Sequence, residues 1–197
     1  VVPFTRNERS AIAGLKTTSY AENVRALAWA HERGADEAIF ANTRGELCEG
    51  TGTNVFVVTG GVLRTPPEES GCLLGVTRAL ILELADRLAI QAEEVTLPMT
   101  AVATADEAFI SSSTRELQSV SAVDGNRLPV APGPVTTLLA GAFRRMVADR
   151  MTSGPAVYVE ASDPLAVEDG QDAATFTIHR TGPTTSAQTV DYTMSGT

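Results

Sequence analysis

The sequence predicts an α/β (α+β) fold for residues 1–151, followed by a short β segment over residues 152–197. Before Met151, segments with the apolar spacing of an amphipathic helix alternate with short β-branched runs that are typical of strands. After Met151, apolar residues recur with period two, which is the spacing of a strand with one buried face. The charge changes at the same place, because residues 152–197 contain six acids and one base. We therefore expect two regions of different architecture.

The first predicted elements are a helix, two strands and a hairpin. Apolar residues with helical spacing predict a helix that runs through Arg33 and ends at Gly34. Apolar and β-branched runs predict strands over residues 37–41 and 54–59. Gly60-Gly61 separates the second strand from another apolar pair, and this pattern favours a two-residue β-hairpin.

Two helices and one strand complete the predicted elements of the first region. Thr77 opens a helix whose apolar face comprises Leu80, Ile81, Leu84, Ala85 and Leu88. A short strand is predicted over residues 108–111, and a final amphipathic helix over residues 135–150.

The tail is predicted to form strands separated by turns. Its period-two pattern involves Phe176, Ile178, Val190, Tyr192 and Met194. The pairs Gly154-Pro155 and Gly182-Pro183 predict turns between the strands. We expect one face of these strands to be buried.

Composition excludes several classes of protein. The net charge of −9 argues against a nucleic-acid-binding surface, and the apolar fraction of 43% is enough for a sizeable core. The two cysteines, Cys48 and Cys72, lack metal-ligand spacing and are expected to stay reduced. No apolar run approaches the roughly 18 residues that a membrane-spanning helix needs. The chain begins at Val1 without a recognisable leader, which suggests a fragment of a longer protein.

Lys16 is the one lysine in the chain, against fourteen arginines. Arginine can replace lysine wherever a surface cation is enough, but a guanidinium stays protonated and cannot act as an amine nucleophile. The retained lysine is therefore a candidate for Schiff-base chemistry with a carbonyl group. The alternative is a solvated lysine that persisted by chance in the segment before a helix.

Three further segments could form one cofactor site with Lys16. Glu49 lies at the end of a predicted strand, where a carboxylate can pair with a protonated pyridine nitrogen. Gly75-Val76-Thr77-Arg78 opens a helix, whose free N–H groups and threonine hydroxyl can bind a phosphate. Ser111–Thr114 follows a strand and can add further donors. Taken singly, these segments are also explained by a strand-end carboxylate, a helix cap and a solvated loop.

These motifs resemble those of the class IV aminotransferase family, which comprises pyridoxal-phosphate enzymes of fold type IV. The family contains branched-chain and D-amino-acid aminotransferases and aminodeoxychorismate lyase. The similarity covers about residues 14–149 and rests on the four ordered motifs Lys16–Tyr20, Glu49–Asn54, Gly75–Arg78 and Ser111–Val120. Residues 1–151 would then be the C-terminal, cofactor-binding domain of such an enzyme.

The resemblance implies pyridoxal 5'-phosphate as the cofactor and assigns roles to individual residues. Lys16 would be the catalytic Schiff-base lysine and the base that removes the α-proton of the substrate. Tyr20 would lie near the phenolic oxygen of the ring and Glu49 on the pyridine nitrogen. The phosphate would be bound by Val76, Thr77 and Ser113, and the substrate side would be formed by Thr114 and Arg115.

The resemblance leaves the reaction open between two small-molecule substrates. One is an amino acid, for transamination, and the other is an amino-chorismate, for the lyase reaction. The run Ser-Ser-Ser-Thr-Arg-Glu-Leu-Gln is closer to lyase-like members than to the Gly-Thr-Ala-Ala form of branched-chain enzymes, and Ser119 replaces a usual proline. A homodimer in the cytoplasm is implied, with neither nucleic acid nor membrane as a partner.

Family members also have a smaller N-terminal domain, which supplies an arginine to the phosphate and part of the substrate pocket. None of it precedes Val1 in this sequence. We therefore expect the isolated chain to bind the cofactor weakly and to show little or no turnover.

The tail resembles the first half of a Calx-β domain, a β-sandwich that can bind calcium through clustered acids. The matching stretches are residues 157–160, 166–170, 174–180 and 189–192. Weak candidates for calcium ligands are Glu160, Asp163, Glu168 and Asp169. A second hypothesis is thus an extracellular calcium-binding adhesion protein, and a third is a fusion whose aminotransferase half has become structural. Half a sandwich leaves an unpaired edge, so a loosely docked or disordered tail is expected.

Overall fold

A computed structural model describes residues 1–153, 157–163, 175–182 and 189. Within these ranges, helices α1 to α4 span Ala21–His31, Val76–Arg87, Thr100–Thr104 and Pro134–Ser153. Strands β1 to β12 span Thr5–Arg6, Ile39–Asn42, Leu47–Gly50, Asn54–Thr59, Val62–Thr65, Ala92–Glu94, Glu107–Ser112, Glu116–Val120, Ala122–Val123, Asn126–Arg127, Val157–Asp163 and Thr175–Arg180. None of the helices in these ranges has the length and apolar character needed to cross a membrane.

A five-stranded sheet with the order β6-β5-β4-β7-β8 forms the centre of the first region. Its neighbouring strands are antiparallel except β5 and β6, which are parallel. Strand β4 pairs with β5 through the predicted hairpin, in which Val58 lies opposite Leu63. Gly60 and Gly61 both have positive φ, as the primed two-residue turns that suit the twist of a hairpin require. The hairpin prediction is confirmed.

A three-stranded sheet with the order β1-β2-β3 supports helix α1. Strand β1 is parallel to β2, and β2 is antiparallel to β3, so that Phe40 lies directly opposite Glu49. The helix packs its small residues Ala26 and Ala30 in a buried cluster with Val2, Ala38 and Phe40. Small side chains allow the helix to approach the strand closely, which places the first turn of α1 near the end of β3.

Both faces of the five-stranded sheet are covered. On one face, apolar side chains of β4 and β7 pack in a buried cluster with α3 and the segments around it: Val55, Val57, Ala108 and Ile110 meet Leu97, Val102 and Ala105. The alternate residues Phe56 and Phe109 stack with ring centroids 4.8 Å apart. They point to the other face, since successive strand residues alternate, and α2 contacts β6 and β7.

The described parts of the chain form two compact units, Val1–Arg144 and Arg145–Thr197. In the second unit, β11 and β12 pair antiparallel, so the predicted strand around Phe176 and Ile178 is present. Their predicted burial is wrong, since each side chain is 56% exposed. The predicted residues Val190, Tyr192 and Met194 lie outside the described residues.

The remaining element predictions agree in type. Strand β4 has the predicted bounds, 54–59, and the others differ at one or both ends. Helix α2 begins at Val76, one residue before the predicted Thr77, and the last predicted helix extends over Pro134–Ser153. Helix α1 ends at His31, and Gly34 follows with φ +73° in the turn beyond it. Cys48 and Cys72 are free and buried, and burial raises the pKa of both thiols, which keeps them protonated at neutral pH.

Candidate active site

Lys16 lies just before α1, and its Nζ donates a hydrogen bond to the Tyr20 hydroxyl at 2.8 Å. Nζ is also 5.4 Å from the centroid of the Tyr20 ring. Tyr20 directly precedes the first turn of α1, so the helix fixes where the hydroxyl lies. Both residues are exposed, which leaves the amine accessible to an aldehyde from solution.

Glu49 occupies the end of β3 as predicted, and its side chain is only 14% exposed. Its Oε2 accepts a hydrogen bond from the Leu73 N–H at 2.9 Å, and its Oε1 lies 3.1 Å from Nε of Arg6. Burial raises the pKa of Glu49 above its usual value, while the Leu73 N–H and the Arg6 guanidinium act in the opposite direction. A buried carboxylate of this kind gains more from a cationic partner than an exposed one does.

Arg6 is a residue of this site that the sequence analysis missed. Its Nη1 donates to Glu22 and its Nη2 to Asn23 Oδ1 at 2.8 Å, and its guanidinium lies 4.3 Å from the centroid of the Phe40 ring. Asn23 in turn donates from Nδ2 to the Thr51 carbonyl oxygen at 2.6 Å. The first turn of α1 is thus tied both to Glu49 and to the loop that follows it. In a chain with fourteen arginines, composition gives no signal that would single out Arg6.

The start of α2 is shaped to accept an anion. Gly75 is the N-cap residue, with extended backbone, and no side chain caps the first turn. Asn54 donates from Nδ2 to the Leu73 carbonyl oxygen at 2.6 Å, and a Cβ on Gly75 would lie 2.4 Å from Asn54 Oδ1. The absence of a side chain at Gly75 lets the backbone approach this closely, and Thr77 is buried beside it. N–H groups without a capping side chain at a helix start attract anions.

The β7–β8 turn contains the predicted serine run. Register places Ser111 opposite Asn54, which brings the end of β7 beside the residue that contacts Gly75. The Ser112 hydroxyl accepts a hydrogen bond from the Arg115 N–H at 3.1 Å and lies 3.3 Å from Thr114 Oγ1. The Ser111 hydroxyl is buried and has no hydrogen-bond partner. Buried hydroxyls are normally paired, so this one is an unused donor and acceptor close to the start of α2.

Glu37 is a second residue that the sequence analysis missed. Its carboxylate accepts hydrogen bonds from Ala38 N–H at 2.9 Å, Thr51 N–H at 3.1 Å and Thr53 Oγ1 at 3.2 Å, and also from Thr51 Oγ1. Arg115 Nη2 lies 3.9 Å away. Glu37 therefore fixes the loop immediately after Glu49. The sequence analysis included it only as the first residue of the strand predicted over residues 37–41.

A cleft of about 230 Å³ opens between α1, this loop and the β7–β8 turn. Three predicted site residues line it: Tyr20, Thr114 and Arg115. Val24 and Leu27 of α1 supply an apolar wall. The volume is below the roughly 300–1,000 Å³ of pockets for drug-sized ligands, and it suits a small metabolite.

Hydrogen bonds link some of the predicted residues into two separate groups, one around Lys16 and one around Glu49. Lys16 and Tyr20 are joined by a hydrogen bond beside the cleft. Glu49 is linked to the segment before α2 through Leu73. The Leu73 N–H donates a hydrogen bond to Glu49, and the Leu73 carbonyl oxygen accepts one from Asn54. The Thr77 side chain is buried, whereas that of Val76 is 74% exposed, so Val76 can contribute its backbone N–H rather than its side chain. Ser113 lies in the exposed β7–β8 turn.

The calcium candidates do not form a cluster in the part of the chain that is described. Glu160 Oε2 lies 3.1 Å from Nε2 of His179 in the β11–β12 hairpin. The side chain of Asp163 and the whole of Glu168 and Asp169 lie outside the described residues. Among the residues that are described, no group of three or more His, Cys, Asp or Glu could hold a metal ion.

Comparison with known proteins identifies relatives of this architecture. The family model described as class IV amino-transferase matches residues 2–123. The branched-chain-amino-acid aminotransferase of Escherichia coli is 39% identical over 115 residues, which make up 58% of this chain and 37% of that protein. The chain therefore spans less than half the length of this curated relative.

Two solved structures have the same fold. The branched-chain amino acid aminotransferase from Thermobaculum terrenum, in its PLP form, has a TM-score of 0.72 and 35% identity, over 75% of this chain and 49% of that one. A Legionella pneumophila protein described as a 4-amino-4-deoxychorismate lyase has a TM-score of 0.70 and 26% identity, over 73% and 53% of the two chains. The predicted mixed α/β fold is confirmed, and the Calx-β resemblance of the tail stays a prediction.

Proposed function

The chain belongs to the class IV aminotransferase family, whose cofactor is pyridoxal phosphate, and we propose that it transfers the amino group of an amino acid by means of Lys16. The observation that carries this proposal is the position of the single lysine, hydrogen-bonded to Tyr20 at 2.8 Å beside a small cleft. Tyr20, Thr114 and Arg115 line the same cleft, so the hydrogen-bond partner of the amine and the proposed substrate side share one cavity.

The residues of this chain fit the cofactor at both of its charged ends. Glu49 offers a buried carboxylate that can pair with a protonated ring nitrogen. The first turn of α2 lacks a capping side chain, and Ser111 supplies an unpaired buried hydroxyl beside it. We assign the phosphate to the N–H groups of Val76 and Thr77, the Thr77 hydroxyl and Ser113, because Val76 and Thr77 open α2 and Ser113 directly follows β7, where Ser111 lies opposite Asn54.

Lys16 has two tasks in this proposal. Pyridoxal phosphate, when bound, supplies an electron-accepting ring that stabilises the negative charge left when a bond to the substrate's α-carbon breaks. With the cofactor bound, Lys16 Nζ would be the residue that holds its aldehyde carbon and that the amino group of the substrate displaces. The freed Nζ then takes the α-proton of the substrate. The Tyr20 hydroxyl, within hydrogen-bond distance of Nζ, orients the amine for both tasks.

The substrate side of the cleft supports an amino acid with an apolar side chain. Val24 and Leu27 form one wall, and Thr114 and Arg115 can bind a carboxylate on the other. The relatives named for branched-chain amino acids agree with this choice. The second candidate is the lyase reaction on an amino-chorismate, which is favoured by the serine-rich β7–β8 turn and by the Legionella relative. In that reaction the same lysine acts, and a leaving group departs from the β-carbon.

The setting of the protein is also part of the proposal. We propose a homodimer in solution, on the basis of the family, and a cytoplasmic location, since both cysteines are free buried thiols. Sedimentation at micromolar concentration checks the dimer. The matched part of the chain covers 37% of the Escherichia coli relative, so the activity of the whole protein is part of this proposal.

Exchange of the substrate α-proton tests the proposed function without requiring full turnover. The chain is mixed with pyridoxal phosphate and leucine in D₂O, and the α-proton signal of leucine is followed by NMR. We expect exchange in the unmodified chain and at least about a hundredfold slower exchange in Lys16→Arg, because a positioned base contributes about 10²–10⁴-fold. A chain with both Lys16→Arg and Arg9→Lys is the control, since it keeps one lysine at an exposed site.

Each result has a defined meaning. Exchange by Lys16→Arg at the unmodified rate contradicts the role of Lys16. Accumulation of a 2-oxo acid supports transamination, whereas loss of a β-substituent from an amino-chorismate supports the lyase reaction.

A further inference from the structure

We propose that Arg6 is a positioning residue, which keeps the Glu49 carboxylate ionised and directed, and which couples that carboxylate to the start of α1. The proposal deepens the proposed function, on which it rests, because it concerns the carboxylate assigned to the ring nitrogen. It adds a residue from the first strand of the chain to a site that the sequence predicted from Lys16 to Arg115.

The sheet brings Arg6 within reach of Glu49. Strand β2 lies between β1 and β3, so the two residues sit on strands that are separated by one neighbour, or about 10 Å. The Arg6 side chain crosses this gap over the Phe40 ring, which lies directly opposite Glu49. Only a long side chain with a flat head group fits such a path, and cation–π contact with Phe40 stabilises it.

The guanidinium makes a separate contact with each of its three nitrogens. Nε lies 3.1 Å from Glu49 Oε1, Nη1 donates to Glu22, and Nη2 donates to Asn23. The side chain is only 17% exposed. A planar guanidinium can direct three contacts into fixed positions, which the compact ammonium of lysine cannot. The ion pair therefore holds the Glu49 carboxylate near the first turn of α1, to which the other two nitrogens are hydrogen-bonded.

Glu49 needs this partner because it is buried. The groups that act on it are the Arg6 guanidinium from β1, Glu22 from α1 and the Leu73 N–H before α2, together with the buried thiols of Cys48 and Cys72. Among these groups the positive charge is that of Arg6. Burial favours the neutral acid, and a neutral acid cannot provide the negative charge that keeps a pyridine nitrogen protonated.

Arg6 also links the two halves of the proposed cofactor site. Glu22 and Asn23 belong to the first turn of α1, which directly follows Tyr20, the partner of Lys16. Removing Arg6 therefore affects the charge of Glu49 and the position of the Lys16–Tyr20 pair together.

The test measures the titration of Glu49 in the chain without cofactor. Glutamate is labelled with ¹³C at the carboxyl carbon, and the Glu49 signal is assigned from its loss in Glu49→Gln. We expect the Glu49 titration to move to higher pH in Arg6→Gln, to move less in Arg6→Lys, which keeps the charge, and to stay unchanged in Arg9→Gln. Arg9 is the matched control because its side chain is 80% exposed and its Nε lies 3.7 Å from Glu8 Oε1.

A second measurement is the yield of the pyridoxal-phosphate adduct at Lys16 after borohydride reduction. We expect it to require about tenfold more cofactor in Arg6→Gln, because one charge-assisted contact is removed, and to be partly restored in Arg6→Lys. A Glu49 titration that is the same in Arg6→Gln and the unmodified chain, with far-UV circular dichroism unchanged, overturns the proposal. If Arg6→Gln does not fold, the comparison of Arg6→Lys with Arg9→Lys decides it in the same way.

The two proposals fail differently. Absence of any adduct at Lys16 in the unmodified chain contradicts the proposed function but leaves the Glu49 titration as a valid test of Arg6. An adduct that forms normally in Arg6→Gln contradicts the role of Arg6 and leaves the proposed function intact.

Discussion

The two ends of the proposed cofactor site differ in how far their polar groups are already paired. At the Glu49 end, the carboxylate contacts Arg6 and the Leu73 N–H, and Arg6 is itself bound to α1. At the α2 end, no side chain caps the helix, and the Ser111 hydroxyl has no partner. Most polar groups at the Glu49 end are paired within the protein, where Arg6 Nε meets Glu49 as an ion pair without a hydrogen bond. The α2 end offers donors that no side chain uses.

The difference follows from what each end must do. A buried charge without a partner costs several kcal/mol, so Glu49 must be paired whether or not a cofactor is bound. Helix N–H groups near the surface can be satisfied by water until an anion replaces it. Changes at the Glu49 end should therefore depend on pH and on charge, whereas changes at the α2 end should depend on whether the ligand carries a phosphate.

Glu49→Gln should give the largest loss of cofactor affinity, without a loss of folding stability at pH 8. We expect the affinity for pyridoxal phosphate to fall about a hundredfold, since a charged hydrogen bond in a buried site is worth about 1.5–3 kcal/mol. The free energy of unfolding at pH 8 should rise or stay the same. Burial raises the folded-state pKa of Glu49, so the folded chain binds that proton more tightly and loses stability as pH rises above the unfolded value.

Absorbance titration with the cofactor and urea unfolding at pH 5 and pH 8 check this prediction. Glu83→Gln, at an exposed position of α2, is the control. A lower free energy of unfolding for Glu49→Gln at pH 8, by more than the control loses, would show that the carboxylate stabilises the fold instead.

Thr77→Ala should weaken cofactor binding less than Glu49→Gln does, and only for a ligand that carries a phosphate. We expect about tenfold weaker binding of pyridoxal phosphate, because one hydrogen bond to a charged oxygen is removed. Binding of pyridoxal, which has no phosphate, should be unchanged. The affinities of Thr77→Ala for the two ligands are measured by competition. Thr59→Ala, at the exposed end of β4, is the control. Equal weakening for both ligands would mean that Thr77 acts on helix stability rather than on phosphate.

Glu8→Gln should give the smallest effect of the three variants, a change in the pH dependence of stability. It compares Glu49 with a second carboxylate whose pKa is shifted in the opposite direction. Like Glu49, Glu8 has a side chain that is almost fully buried, at 2% exposed. Its pKa is nevertheless lowered from 4.5 to about 2, chiefly by hydrogen bonds from the Thr43 hydroxyl and N–H, with Arg44 nearby. Its contribution to stability is therefore present above pH 4.5 and is lost as pH falls toward 2.

Thermal unfolding between pH 2 and pH 6 checks this sign. The unmodified chain should lose stability in that window more steeply than Glu8→Gln, and the two curves should run parallel above pH 5. Parallel curves throughout the window would show that Glu8 does not titrate with a lowered pKa.

The contrast also explains which parts of the molecule the sequence could predict. The Gly60-Gly61 hairpin and the start of α2 depend on local chemistry, and both were predicted. Lys16 and Glu49 lie in recognisable motifs, and in the structure they contact Tyr20 and Arg6. Their roles stay predictions. Arg6 and Glu37 could not be predicted, because their importance comes from contacts with residues far along the chain, and a single arginine or glutamate gives no local signal.

In the tail, the sequence predicted a strand but not the exposure of its side chains. Period-two alternation correctly predicted a strand at Thr175–Arg180, but alternation does not specify what covers the apolar face. Phe176 and Ile178 are more than half exposed in the described hairpin. Burial depends on a second layer of structure, and the residues of one strand do not encode it alone.

Selective labelling of Lys16 is the most direct test of the account. The chain has two primary amines, Lys16 Nζ and the α-amino group of Val1, which pairs with Asp124. The chain is treated in parallel with pyridoxal phosphate and with pyridoxal, reduced with borohydride, and mapped by mass spectrometry. We predict that the phosphate raises the ratio of Lys16 to Val1 labelling at least about tenfold, through the donors at the start of α2. The same ratio with both aldehydes, or labelling only at Val1, would contradict a cofactor site built from Lys16, Glu49 and Thr77.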